Sequence, residues 1–86
     1  MDQIRWSVLK NQRLKKTRGV SFEELLQSRF LAEKDHPGRP DQRMWLFEYR
    51  NEVWVVPFVS DESGVFLKTL FPSRKYRKIF LKKGLL

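Results

Sequence analysis

Between Met44 and Phe71 the chain has room for little except strands. Met44–Tyr49 places Trp45, Phe47 and Tyr49 on one face and Leu46 and Glu48 on the other, the two-residue period of a strand. Arg50-Asn51 then reads as a tight turn, because asparagine tolerates positive φ. Val53–Val59 is apolar on both faces, and Pro57 removes one ladder donor, so pairing there is broken or at an edge. Asp61-Glu62-Ser63-Gly64 is a second turn. It leads into Val65–Phe71, a third strand stopped by Pro72 and interrupted only by Lys68, on the face of Phe66 and Leu70. The pattern predicts a three-stranded antiparallel meander.

Helices are expected on either side of it. Residues 2–6 form a lead-in or a short strand anchored by Trp6, and Ser7–Arg18 contains no glycine or proline. Its apolar residues, Val8, Leu9 and Leu14, are poorly spaced, so this helix presents mostly cations, and Gly19 suits its left-handed cap. Ser21-Phe22-Glu23-Glu24 is a capping box, after which Phe22, Leu25, Leu26 and Phe30 share one helical face. Residues 29–34 allow a short strand, and Pro37, Gly38 and Pro40 make 35–41 a loop. Ser73 can cap a basic helix whose apolar stripe is Tyr76, Ile79 and Phe80, and residues 82–86 are expected to fray. The expected fold is α+β in one domain over 1–86. Two N-terminal helices pack on a curved antiparallel sheet, with room for an extra short strand, and a basic C-terminal helix closes it.

Charge bears on function more directly. The 18 Lys and Arg outnumber the 10 Asp and Glu, a formal net charge of +8. Residues 5–18 carry six cations and 68–83 carry seven, with no acid in either block. Two basic ends around a mixed centre fit a polyanion if the termini meet. A membrane surface fits less well, because the terminal helices lack a strong apolar stripe. Without cysteine, and with one histidine, the chain offers no disulfide framework, thiolate site or histidine cluster for a metal. No apolar run is long enough to span a bilayer, and no apolar leader opens the chain, so a cytoplasmic protein is expected.

Few side chains carry chemistry. Lys68, within an apolar strand, is an anion ligand, an edge or snorkelling lysine, or a lysine neutralised by Glu48 on a neighbouring strand. Arg74 and Lys75 open a helix, where cations oppose the dipole unless they share an anion with the free amides. His36 is the natural proton carrier near neutrality, or else a loop residue stacked on Pro37 or bonded to Asp35. Tyr49 and Tyr76 can stack on a base, and both also suit a core.

Several stretches in order resemble the small BrnT-like toxins of type II toxin–antitoxin modules, within the RelE-like ribonuclease toxins. They are Arg18-Gly19-Val20-Ser21-Phe22-Glu23-Glu24, Asp35-His36-Pro37, Val56-Pro57-Phe58-Val59, and Phe66-Leu67-Lys68-Thr69 with Pro72-Ser73-Arg74-Lys75. The resemblance spans roughly residues 4–80. The pattern departs from those toxins in a less acidic segment after the second helix, in Pro72-Ser73-Arg74 where they carry a Ser-Ala-Arg turn, and in the extra basic tail. Those departures suit a sister branch.

The resemblance implies a RelE-like fold and a metal-independent endoribonuclease without cofactor. It also implies an antitoxin, typically a ribbon-helix-helix protein encoded next door, with DNA contacted only through that complex. Of the motif positions only Arg74 and Lys68 carry over as catalytic residues. They would neutralise the charge of the phosphorane formed when a 2′-hydroxyl attacks its phosphate, and His36, the third catalytic candidate, or Tyr76 would move protons. Lys75, Tyr76, Arg77 and Lys78 would track the RNA. The alternatives are a non-catalytic nucleic-acid-binding module and a protein-interaction module using the same basic face.

Overall fold

Two apolar faces on one sheet set the architecture. The computed structural model describes residues 3–86. In chain order the elements are β1 (Gln3–Trp6), α1 (Val8–Arg18), α2 (Phe22–Leu26), β2 (Arg29–Asp35), β3 (Arg43–Tyr49), β4 (Glu52–Asp61), β5 (Gly64–Leu67), β6 (Phe71–Pro72) and α3 (Arg74–Lys82). The sheet runs β1-β5-β4-β3-β2, and β6 joins the free edge of β4 beyond β5. The fold is therefore α+β, but the sheet is mixed rather than antiparallel, because β1 lies parallel to β5. The meander β3–β4–β5 is present, and β1, β2 and β6 enlarge it.

The alternation in β3 and β4 divides the core in two. Phe47, Trp54, Val56 and Phe58 face Leu14 of α1 and Phe22 and Leu25 of α2. Met44, Leu46, Val53 and Val55 face Phe80 of α3 on the other side. β4 is apolar on both faces because both are covered. The basic helix thus packs on the face opposite α1 and α2, and its apolar stripe is spent on the sheet.

Local chemistry explains the ends of the elements. Ser7 accepts from the Lys10 amide at 3.2 Å and starts α1, and Gly19 at φ 77 ends it. Asn11 is the polar residue α1 buries: its Oδ1 accepts from the Phe22 amide at 2.8 Å and its Nδ2 donates to Glu23, tying α1 to α2. The capping box forms as expected. The helix it opens does not reach Phe30, however. The Ser28 amide and hydroxyl both donate to the Leu25 carbonyl, and Phe30 pairs in β2, half exposed with its ring edge-on to Phe47.

Arg50 and Asn51 have φ of 54 and 63, the left-handed pair that a two-residue hairpin requires. The expected strand Val65–Phe71 is broken. Phe58 pairs with Leu67 and Val55 with Phe71, so Lys68, Thr69 and Leu70 lie opposite only Val56 and Pro57. Pro57 has no N–H to give, and the chain bulges there, held by the Lys68 amide donating to the Pro57 carbonyl at 2.8 Å. After α3, Gly84 donates to the Leu81 carbonyl and Leu85 to that of Phe80, and Leu86 packs on the α3-side core.

Candidate nucleic-acid interface

The bulge at Lys68 and the loop between β2 and β3 enclose an open cleft of about 570 Å³. Lys68, His36, Arg39, Asp41 and Gln42 line it, with Lys10 entering from the first turn of α1. Its floor is Pro57 and Val59 of β4, on the sheet face that α3 leaves open at this end. The loop is held from within, since Gln42 donates to the Arg39 carbonyl at 3.0 Å and His36 to that of Gln42 at 3.3 Å. The Gly38 amide donates to His36 Nδ1 at 3.0 Å. A ring nitrogen that accepts a hydrogen bond carries no proton, so the neutral imidazole bears its proton on Nε2.

Neither carboxylate partner expected for the cleft residues is engaged with them. Lys68 is exposed past the end of β5 rather than set in a strand interior, with Nζ 5.8 Å from the Phe66 ring. Glu48 does not reach it, because Arg29 holds that carboxylate at 3.0 Å. Asp35 does not hold His36 either, since its carboxylate pairs with Arg43.

Arg74 lies elsewhere. It lines a separate concavity of about 360 Å³ with Arg77 and Lys78 of α3 and with Arg50, Asn51 and Glu52 of the β3–β4 hairpin. Arg77 Nε donates to the Asn51 carbonyl at 2.7 Å, and Arg50 stacks 5.0 Å from the Tyr49 ring. A neighbouring hollow adds Arg18, Trp54 and Pro72 to Arg50 and Glu52. The structure therefore brings His36 and Lys68 together, and it groups Arg74 with Arg77 and Lys78. Lys75 sits with Nζ 5.7 Å from the Tyr76 ring, whose half-buried side chain packs on the α3-side core.

The electrostatics separate structural charges from available ones. Among the described residues the ion pairs engage Arg5, Lys15, Arg29, Arg43 and Arg50, and no cation of residues 68–83. The displaced acids belong to that structural set. Glu24 is lowered to about 2 by Lys15, the Ser21 amide and Tyr49. Asp61 is lowered to about 2 by Arg5 and Ser63 at the β4–β5 turn. Trp45 Nε1–H and Arg43 lower Glu33, and Glu33 in turn raises Arg43. The cleft sets Lys10, Arg39 and Lys68 against Asp41, and the concavity sets four cations against Glu52. Either could hold a phosphate. Among the described residues no three His, Asp or Glu side chains converge as a metal site, and no helix is long and apolar enough to cross a membrane.

Lys10, Arg39 and Asp41 of the cleft, and Arg18 and Arg50 beside Arg74, were not singled out from the sequence as site residues. Arg18 and Lys10 belong to the first basic block, and its expected convergence with the second was the signal available. Arg39 and Asp41 carried only their place in the His36 loop.

No family model matches the chain, and no curated protein does. Among solved structures the fold is similar to that of the Brucella abortus ribonuclease toxin BrnT, with a TM-score of 0.56 and 19% sequence identity. The match covers 85% of this chain and 97% of that one. The likeness bears out an α+β fold of the expected kind, whereas the sheet, mixed and six-stranded, differs from the antiparallel meander expected.

Proposed function

We propose that this chain is the toxin of a toxin–antitoxin pair, an endoribonuclease that cleaves RNA without a metal ion. The observation that carries the proposal is the cleft in which His36 and Lys68 meet under Lys10 and Arg39, on the fold of a ribonuclease toxin. The lysine, histidine and carboxylate that line the cleft support this reaction class. The 2′-hydroxyl gives up its proton, its oxygen bonds to the adjacent phosphorus, the bond from phosphorus to the 5′-oxygen breaks, and that oxygen takes a proton. The products are a 2′,3′-cyclic phosphate and a 5′-hydroxyl.

In this reading Lys68 neutralises the charge that builds on the phosphoryl oxygens. His36, with its proton on Nε2, donates to a phosphoryl or leaving oxygen. Asp41, the carboxylate lining the cleft, receives the 2′-hydroxyl proton. Lys10 and Arg39 hold the flanking backbone, and DNA is refused for lack of the nucleophile. The antitoxin would be a ribbon-helix-helix protein, which a neighbouring gene and co-purification would reveal.

The test is controlled expression with growth and total RNA followed together. Arrest with RNA fragments ending in 2′,3′-cyclic phosphate is the expected result. Lys68→Ala and His36→Ala should each lower cleavage by about 10²-fold or more while the circular dichroism spectrum is retained. Healthy cells with intact RNA, given soluble folded protein, would refute the ribonuclease and leave the non-catalytic binding module.

A further inference from the structure

We infer that the Arg74 concavity is a second station on the same RNA strand, gripping backbone phosphates away from the bond that is broken; this rests on the ribonuclease reading above. The concavity gathers cations from two elements, Arg74, Arg77 and Lys78 from α3 and Arg50 from the β3–β4 turn. Two of them are aimed before any ligand arrives. Arg77 is fixed by the Asn51 carbonyl, and Arg50 by a left-handed turn and the Tyr49 ring, with Glu24 3.9 Å away. Guanidinium groups held in place lose less freedom on binding, and their planar fork matches a phosphate.

The two sites also lie along β4, whose Pro57 and Val59 line the cleft and whose Glu52 lines the concavity. The chain passes from Lys68 and Phe71 of the cleft through Pro72 and Ser73 to Arg74 of the concavity, so β6 lies between them. No acid occurs from Lys68 to Lys83. Glu52 of the concavity and Pro57 of the cleft are five residues apart on β4, about 17 Å at ~3.4 Å per residue. A stacked strand advances about 3.4 Å per nucleotide, so one strand reaches both stations within roughly five nucleotides. A strand laid over β6 meets cations at each end, which an isolated acidic side chain cannot do.

The experiment measures binding of a 2′-O-methyl oligonucleotide, which has no nucleophile, by fluorescence anisotropy over a range of salt. Arg74→Gln and Lys78→Ala should each weaken binding of a strand of about ten nucleotides severalfold. Each should also make the slope of log affinity against log salt shallower by about 0.7. With a dinucleotide the difference from wild type should vanish. The Lys78 side chain makes no hydrogen bond or ion pair among the described residues, so its variant keeps the test valid if an arginine change disturbs the fold. Unchanged affinity and slope in a variant that combines Arg74→Gln with Lys78→Ala would overturn the inference. So would displacement by polyglutamate with the same dependence on Arg74, which would assign the concavity to an acidic protein. Arg74-dependent binding by a protein that leaves cellular RNA intact would support the strand grip and remove the ribonuclease reading alone.

Discussion

Glu24 holds three parts of the chain at once. Its carboxylate accepts from Lys15 Nζ at 2.8 Å, from the Ser21 amide at 2.9 Å and from the Tyr49 hydroxyl at 2.9 Å, joining α1, the start of α2 and β3. These donors favour the ionised form and lower its pKa from 4.5 to about 2. A depressed carboxyl contributes stability that is fully present above its unfolded value and is lost as pH falls towards its folded value. Between about pH 4.5 and 2 the protein should therefore lose part of its stability through this group. Glu24→Gln should cost about 2 kcal/mol at neutral pH and flatten that acid limb, as urea unfolding at a series of pH values would measure. An unchanged limb in the variant would place the acid sensitivity elsewhere. The Ser21–Glu24 box was legible because its atoms are three residues apart. Asn11 was not, since its partners Phe22 and Glu23 come near it only after the chain has turned at Gly19. His36 was legible as a residue type, but its bond to Gly38 depends on a loop conformation that composition does not encode.

Among the elements, the parallel strand β1 depends on Gly64. That residue has φ 134, and a Cβ there would lie 2.1 Å from the Gln3 carbonyl oxygen and 2.5 Å from its nitrogen. Gly64→Ala must therefore push β1 away from β5 or distort the β4–β5 turn. It should destabilise the protein by about 2 kcal/mol or more. Hydrogen exchange should show β1 amides losing protection ahead of β3 and β4, and uniform protection in a stable variant would contradict this account. The strands of the meander could be read because each carries its own alternation or apolar run. The parallel pairing could not, because Gln3–Trp6 shows no period of its own and gains a register only from its neighbour. Pro57 marked where the ladder fails, and that signal was read correctly. Its consequence on the partner strand was missed: the bulge carries Lys68 out of the sheet and into the cleft, away from the end of α3 where Arg74 begins. Continuity of apolar residues from Val65 to Phe71 hid the break, since Leu70 and Phe71 are apolar because they serve opposite cores.

At the scale of the molecule, a basic route runs from Lys10, Arg39 and Lys68 at the His36 cleft to Arg50, Arg74, Arg77 and Lys78 at the concavity, with Asp41 and Glu52 as the acids that line it. The charge blocks at the two ends of the sequence were visible from the start. That they meet at the His36 cleft, which Lys10 and Lys68 line together, is a property of the topology. Such a surface repels itself, and counter-ions or a polyanion relieve the repulsion. Two opposite salt dependences follow for this chain of net charge +8. Alone, the protein should melt higher as sodium chloride rises from about 20 to 300 mM, because screening acts over roughly a Debye length of 10 Å or less. With uncleavable RNA at about a hundredfold excess over its dissociation constant, binding should add about 2.7 kcal/mol, on the order of 10 °C in Tm for a domain of this size. That increment should shrink over the same salt range, because each phosphate contact is weakened as counter-ions are retained. Differential scanning fluorimetry with and without the oligonucleotide measures both trends in one series. A Tm that falls with salt in the free protein would mean that the ion pairs around Glu24, Glu33 and Asp61 outweigh the repulsion along the basic route. An RNA increment indifferent to salt would mean that the strand is held by stacking on rings rather than by the cations of residues 68–78.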